Sequence, residues 1–335
     1  MIEPAFWQNP PKRAGIYAVV LSPLSAIWWM LTTYRMKNGP WHKLGVPVIC
    51  VGNINLGGTG KTPTVIALAE RLRDWGLKPH VVSRGYGGSL QGPVQVNERK
   101  HKAAETGDEP LLLAAFCPTW VARDRHAGAK AAIAAGADVI LLDDGFQNPT
   151  LAKDISIVVV DAVAGFGNGR VFPAGPLREP ASEGLKRADV ILVIGGDKAQ
   201  ARFQTNWPTS AAAPIVRAEL APLETGMEWK GMKVLAFAGI GRPAKFFATV
   251  RALGANIIQT EALSDHQPLT LPLMRRLEAD SFFKGAQMVT TEKDATRLPE
   301  AFKLRVLTVP VRLSVKDWSA IDAALAAVGV SPKTA

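Results

Sequence analysis

Apolar and polar positions run along this chain in two rhythms, and each change of rhythm marks an element. "VPVICVGN" (46–53) is a nearly unbroken apolar run of strand length. "TPTVIALAERLRDWG" (62–76) instead places Val65, Leu68, Ala69 and Leu72 on one face of a helix. The alternation continues: "KPHVVSRGYGG" (78–88) is a strand that breaks into a glycine loop, while "DEPLLLAAF" (108–116) and "RHAGAKAAIAAG" (125–136) predict helices, the second closed by Gly136. "ADVILLDDG" (137–145), "ISIVVVDA" (155–162) and "ADVILVIGG" (188–196) are continuous apolar strands of the kind buried on both faces in parallel sheets. Periodicity is weak over 200–226, then resumes with strand "KVLAFAGIG" and helix "RPAKFFATVRALG" (233–254). Strands "AQMVTTEKD" (286–294) and "RVLTVPVRL" (305–313) and helix "WSAIDAALAAVG" (318–329) follow. Strand–helix–strand order throughout predicts an α/β fold with mostly parallel sheets and right-handed crossovers. The simplest partition is an N-terminal apolar segment (1–43), a first α/β domain (44–220) and a second, smaller one (221–335).

The N-terminal segment stands apart. Gly15 to Tyr34 carries no charge and is 20 residues long, the length a helix needs to cross the hydrocarbon layer. No small-x-small cleavage site closes it, so a signal peptide is a poor reading. Trp28, Trp29 and Tyr34 crowd its end as interface-seeking aromatics would, Pro23 sits mid-run, and Lys12, Arg13, Arg35, Lys37 and Lys43 flank it. The pattern predicts a helix attached to an anionic membrane surface, with a full span and a buried core helix as the alternatives.

Composition narrows the function. Of 335 residues, 47% are hydrophobic and 20% charged, which excludes a disordered chain. The net charge of +10 points to anionic partners. Nucleic acid is the poorer candidate, since no zinc-finger, RNP-like or basic-zipper spacing occurs and the basic residues are dispersed. The two cysteines, Cys50 and Cys117, each lie in an apolar run and read as reduced core residues of a protein that faces the cytosol. No segment demands an obligate protein partner.

The chemistry begins at "NLGGTGKT", Asn55, Leu56, Gly57, Gly58, Thr59, Gly60, Lys61 and Thr62, between an apolar strand and an amphipathic helix. Glycines let backbone N–H groups turn inward around phosphates, Lys61 supplies charge to the outer phosphates, and the Thr62 hydroxyl is available to Mg²⁺. Asn55 replaces the usual first glycine, and asparagine tolerates left-handed backbone better than other side chains. A P-loop needs an acid near the metal at a strand end, and Asp143 and Asp144 supply two, without saying which one meets the ion. Asp108, before a helical run, reads by itself as an ordinary N-cap, and His266 by itself is equally unremarkable.

Together the motifs are specific. "GNINLGGTGKTP", "SRGYGG", "GDEP", "ARDR", "LLDDGFQ", "PAGPLREP", "SDHQ" and "TTEKDATRL" occur in the order and spacing of the tetraacyldisaccharide 4'-kinases, and the chain resembles that family from its N-terminal apolar helix to about Leu298. The resemblance implies a P-loop domain with flanking helices, a second smaller α/β domain and a membrane-associated N-terminal helix. It also implies ATP- and Mg²⁺-dependent transfer of the γ-phosphoryl group to the 4'-hydroxyl of an acylated glucosamine disaccharide 1-phosphate, at the cytoplasmic face of a Gram-negative inner membrane. By motif, Lys61 and Thr62 would hold phosphates and metal, Asp143 and Asp144 would organise the metal, Asp108 would be the catalytic base and His266 its partner. Ser83, Arg84, Tyr86, Arg123, Arg125, Arg178 and Glu179 are where substrate contacts would be sought. Many members have His where this chain has Asn148 and Gln267, so neither position carries an indispensable imidazole here. Two rivals remain open from the residues alone: a P-loop kinase of a soluble metabolite, and a membrane-recruited ATPase switch. GTP is disfavoured, because "TEKD" has Glu292 where guanine reading needs Asn.

Overall fold

The apolar runs become the strands of two sheets in the computed structural model, which describes residues 4–207 and 212–333. In chain order the strands are β1 (Val48–Gly52), β2 (Pro79–Ser83), β3 (Val94–Gln95), β4 (Thr119–Val121), β5 (Val139–Asp143), β6 (Ile155–Asp161), β7 (Val190–Ile194), β8 (Ile215–Pro222), β9 (Lys233–Ala238), β10 (Asn256–Ala262), β11 (Gln287–Thr291), β12 (Leu307–Val309) and β13 (Val311–Val315). The larger sheet has the order β13-β8-β7-β6-β1-β5-β2-β4-β3, and the smaller β10-β9-β11-β12. Only the β3–β4 and β13–β8 pairings are antiparallel among the described residues. Every residue of β1, β2, β5, β6 and β7 is buried, as both-face coverage of a parallel sheet requires.

Helices cover both faces. Leu68 and Leu72 of helix Lys61–Asp74 share one core with Ile321 and Leu325 of helix Ser319–Ala327. Ala129 and Ala132 of helix Arg125–Ala134 pack on the other face with Phe146, Phe166 and Phe203. The smaller sheet lies between helix Pro243–Ala252, through Phe246, Phe247 and Val250, and helix Leu271–Phe283, through Met274 and Leu277.

"RVLTVPVRL" is two strands rather than one. Pro310 separates β12 of the smaller sheet from β13, which pairs with β8 at the edge of the larger. The chain therefore returns to the first sheet, and a single cut near 220 does not separate the two layers. The weakly periodic stretch also holds structure, helix Asp197–Asn206 and strand β8, with 208–211 outside the described residues.

The N-terminal run is two helices, Ile16–Val20 and Ser22–Lys37, the second opening with Pro23 in its first turn, where proline is tolerated. Among the described residues no helix is long and apolar enough to cross a membrane. Nor is the segment a core helix. One side is tied to the body: the Ser25 hydroxyl donates to the Val171 carbonyl (2.7 Å), the Trp28 indole to that of Arg178 (3.2 Å) and Arg35 to that of Gln147 (3.2 Å). The opposite side leaves Ile16, Tyr17, Val19, Val20, Leu24, Met30, Leu31 and Tyr34 more than half exposed.

Candidate active site

The site lies at the carboxyl ends of β1, β2 and β5, where chain order reverses across the sheet and doubly wound folds bind ligands. After β1 the chain turns through Gly57 and Gly60, both at positive φ, and enters helix Lys61–Asp74. Gly60 is required twice over: its φ is 100°, and a Cβ there would meet Ile194 Cδ1 at 2.6 Å. No side chain caps this helix, so its first-turn N–H groups remain available to an anion. Asn55 does not adopt the left-handed backbone its replacement of glycine suggested. It lies opposite Leu177 in an isolated antiparallel bridge, and its side-chain amide donates to the Gly165 carbonyl (3.0 Å). Lys61, mostly buried, extends to 3.7 Å from Asp144 Oδ1.

The two strand-end aspartates have different surroundings. Asp143 is buried and accepts one bond, from the Ser83 hydroxyl to Oδ2 (3.0 Å), while Oδ1 has no partner. Burial, helped by Glu109 and Asp144 nearby, pushes its carboxyl up to about 7. Burial acts on Asp144 in the same direction but loses to Lys61, Arg178 and Arg125, which hold it below the usual carboxylate range. Arg178 grips Asp144 with two bonds (2.8 and 3.0 Å). Asp144 itself sits at φ 52°, a conformation rare outside glycine. The orphaned Asp143 oxygen fits a magnesium ion, which takes one or two protein oxygens and completes its shell with water and phosphate.

The smaller sheet closes over this edge. A Cβ on Gly241, in the turn after β9, would lie 3.8 Å from the Gly58 amide nitrogen and 3.9 Å from Asp265 Oδ2. Beside it His266 Nδ1 is 2.9 Å from Asp108 Oδ2, a contact between residues 158 apart in sequence. Asp108 opens helix Asp108–Ala114 on the larger sheet, and its backbone is held close to the "SRGYGG" turn: a Cβ on Gly107 would meet the Tyr86 carbonyl at 2.6 Å. Tyr86 is exposed, its ring edge-on to His266 with centroids 5.9 Å apart. Burial raises the Asp108 carboxyl, but the His266 hydrogen bond and the charges of Lys293 and Arg297 outweigh it and bring it below its ordinary value.

His266 has φ 58°, and a clamp holds its loop in that conformation. Arg297 donates to the carbonyls of Gln267 (3.0 Å) and Gly239 (3.0 Å) and pairs with Asp294. Asp294, fully buried, accepts the Gly239 N–H and the Thr291 hydroxyl (2.7 Å). Arg297→Met would strand a buried carboxylate and free the loop. Its expected cost is about 3–5 kcal/mol, read as a lowered denaturation midpoint, and an unchanged midpoint would mean the pair is dispensable.

The remaining expected residues divide. Ser83 meets Asp143. Arg84 and Arg123 are exposed. Arg125 is buried and donates to the carbonyls of Ala122 and Arg123; burial first, then Arg84, lower its pKa despite Asp143 and Asp144 nearby. Glu179 is buried and taken by Arg187 and the Gln147 amide. Asn148 and Gln267 cap their own turns, accepting from Thr150 N (2.9 Å) and Ser264 N (3.0 Å). Glu109, Lys293 and Arg297 belong to the cluster although the sequence assigned them no role. Each sits inside a quoted motif, but in isolation each reads as a surface charge.

Comparison with known proteins identifies the family and the fold. A family model described as tetraacyldisaccharide-1-P 4'-kinase matches residues 17–329. The chain is 60% identical to tetraacyldisaccharide 4'-kinase of Dinoroseobacter shibae over 326 residues, 97% of each chain. It is 58% identical to the enzyme so named in Jannaschia sp. strain CCS1 over 325 residues, 97% of this chain and 98% of that one. Among solved structures, LpxK from Aquifex aeolicus in complex with ATP shares the fold, with a TM-score of 0.73 at 24% identity over 93% of this chain and 99% of that one. The two sheets, the P-loop between them and the extent of these matches place the chain in the tetraacyldisaccharide-1-P 4'-kinase family.

Proposed function

We propose that the protein transfers the γ-phosphoryl group of ATP to the 4'-hydroxyl of a tetraacyldisaccharide 1-phosphate, giving lipid IVA in lipid A biosynthesis. The observation that carries this reading is the Asp108–His266 pair, one residue from the elements around each sheet, at the P-loop edge. The nucleotide phosphates would rest on the free N–H groups at the start of helix Lys61–Asp74, with Lys61 on the outer ones. Thr62 and Asp143 would hold Mg²⁺, which supplies charge neutralisation on the phosphate oxygens when bound. Arg178 keeps Asp144 ionised and close to Lys61. Asp108, held ionised, would take the hydroxyl proton on Oδ1, which among the described residues accepts the Glu109 N–H (3.0 Å). His266 fixes the other oxygen. Exposed Arg84 and Arg123 are candidate contacts for the 1-phosphate. ATP turnover that rises on adding the acylated disaccharide is the expected behaviour; equal turnover without it would favour a switch ATPase.

The exposed apolar side of helices Ile16–Val20 and Ser22–Lys37 is read as the face that meets an anionic bilayer, the cytoplasmic leaflet of the inner membrane. A substrate with four acyl chains resides there, and burying each exposed Val or Leu side chain stabilises binding by about 1.5–3 kcal/mol. Val19→Asp/Leu24→Asp/Leu31→Asp should cut flotation with phosphatidylglycerol vesicles more than about tenfold while leaving the fold intact. Wild-type protein that stays unbound to such vesicles would contradict the surface assignment.

A further inference from the structure

The "TEKD" segment has no part in the chemistry above, although its lysine touches the cluster. Lys293 lies on the short helix Glu292–Ala295 of the smaller sheet, and its ammonium is 2.9 Å from Glu109 Oε1 on the larger. From that anchor it reaches His266 Nε2 at 3.5 Å and Asp108 Oδ2 at 3.9 Å. Four groups thus face the imidazole: Asp108 at Nδ1, Lys293 and the Asp265 carboxylate (3.7 Å) at Nε2, and the Tyr86 ring at its edge. Lys293 remains charged, because Glu109, Asp108 and Asp265 outweigh its burial and raise its pKa.

An ammonium has hydrogens to give and no lone pair to accept with. As a hydrogen bond, its 3.5 Å contact with Nε2 needs that nitrogen to be the acceptor, and a neutral ring then carries its one proton on Nδ1, pointing at Asp108; the Asp265 carboxylate, 3.7 Å from the same nitrogen, pulls the other way. We propose that Lys293 is a positioning residue that fixes His266 as the Nδ1–H tautomer, so that the histidine donates to Asp108 and leaves the carboxylate free to take the substrate proton. This rests on Asp108 being the base. A proton on Nε2 instead would turn a bare nitrogen toward Asp108 Oδ2, two acceptors facing each other, and the carboxylate would lose its orienting bond. Glu109 anchors the lysine in this position, so one of the contacts that join the two layers also serves the dyad.

The test is nitrogen NMR of ¹⁵N-imidazole-labelled full-length protein near neutral pH, where His266→Gln assigns one signal among five histidines. Wild type should show a protonated Nδ1 and a bare Nε2. Lys293→Met should mix or invert the tautomers and lower kcat about tenfold to a hundredfold, the loss typical when a histidine's orienting partner is removed, with KM for ATP within about twofold. Lys293→Arg, which also only donates, should restore most of both. A wild-type ring protonated at Nε2 overturns the proposal outright, whether or not any variant folds. Unchanged tautomers in Lys293→Met overturn it too, and would reduce the lysine to a strut on Glu109. If the tautomer responds as expected but Asp108→Asn retains turnover, the base assignment fails and the lysine's hold on the ring stands.

Discussion

Lys61→Ala should abolish phosphoryl transfer while leaving the protein folded. The side chain is mostly buried, yet its one ion pair among the described residues is with Asp144 at 3.7 Å, and Asp144 keeps two bonds to Arg178 without it. The loss falls on the reaction rather than on the fold. The transferring phosphoryl group spreads charge over its outer oxygens, and in the proposed reaction Lys61 is the cation that would meet them. Removal of such a group costs about 10³ or more in kcat. Steady-state kinetics beside a thermal melt would check this. Turnover within about tenfold of wild type, with an unchanged melt, would show the loop to be a structural turn.

The second large effect is expected at Asp108. Asp108→Asn keeps the shape and removes the basic oxygen, so kcat should fall by about 10²–10⁴ with little change in KM for ATP. His266→Ala should lower kcat less, because it removes orientation and leaves the carboxylate. The double variant should be little worse than Asp108→Asn alone, since two residues 2.9 Å apart that serve one proton transfer are not independent. Multiplying losses, or a silent His266→Ala, would dissolve the pair. Asp108 is nearly closed off from solvent beside Lys293 and Arg297, so each variant needs a melt to separate lost chemistry from lost fold.

The strands most legible in the sequence are those buried on both faces, because there every residue is constrained to be apolar. β1, β5, β6 and β7 are such strands. β10, "NIIQTEA", is an edge strand with no residue fully buried, and polar residues interrupt its pattern. The short β3 and β4 carry too few residues for any period to show. "RVLTVPVRL" has the pattern of one strand, and only the two partners it finds in space make it two. The same contrast governs the site. Lys61, Thr62, Asp143 and Asp144 are local, a glycine turn and a strand end, and their pattern by itself suggests phosphate and metal chemistry. Asp108 and His266 taken singly look like a cap and a loop histidine, and it was the order of motifs that linked them. The left-handed backbone at Asp144 and His266 has no sequence signature at all. Nor has the Arg297–Asp294 clamp, whose two members are three residues apart but matter for what they hold elsewhere.

Transfer to one particular hydroxyl is tested most directly on the lipid product itself. The protein is incubated with γ-labelled ATP, Mg²⁺ and tetraacyldisaccharide 1-phosphate in mixed micelles, and the lipid products are resolved by tandem mass spectrometry. The account predicts one new phosphate per ATP consumed, carrying the label and located at the 4' position of the distal sugar. Labelled inorganic phosphate with the lipid unchanged, or label at any other position, would contradict it.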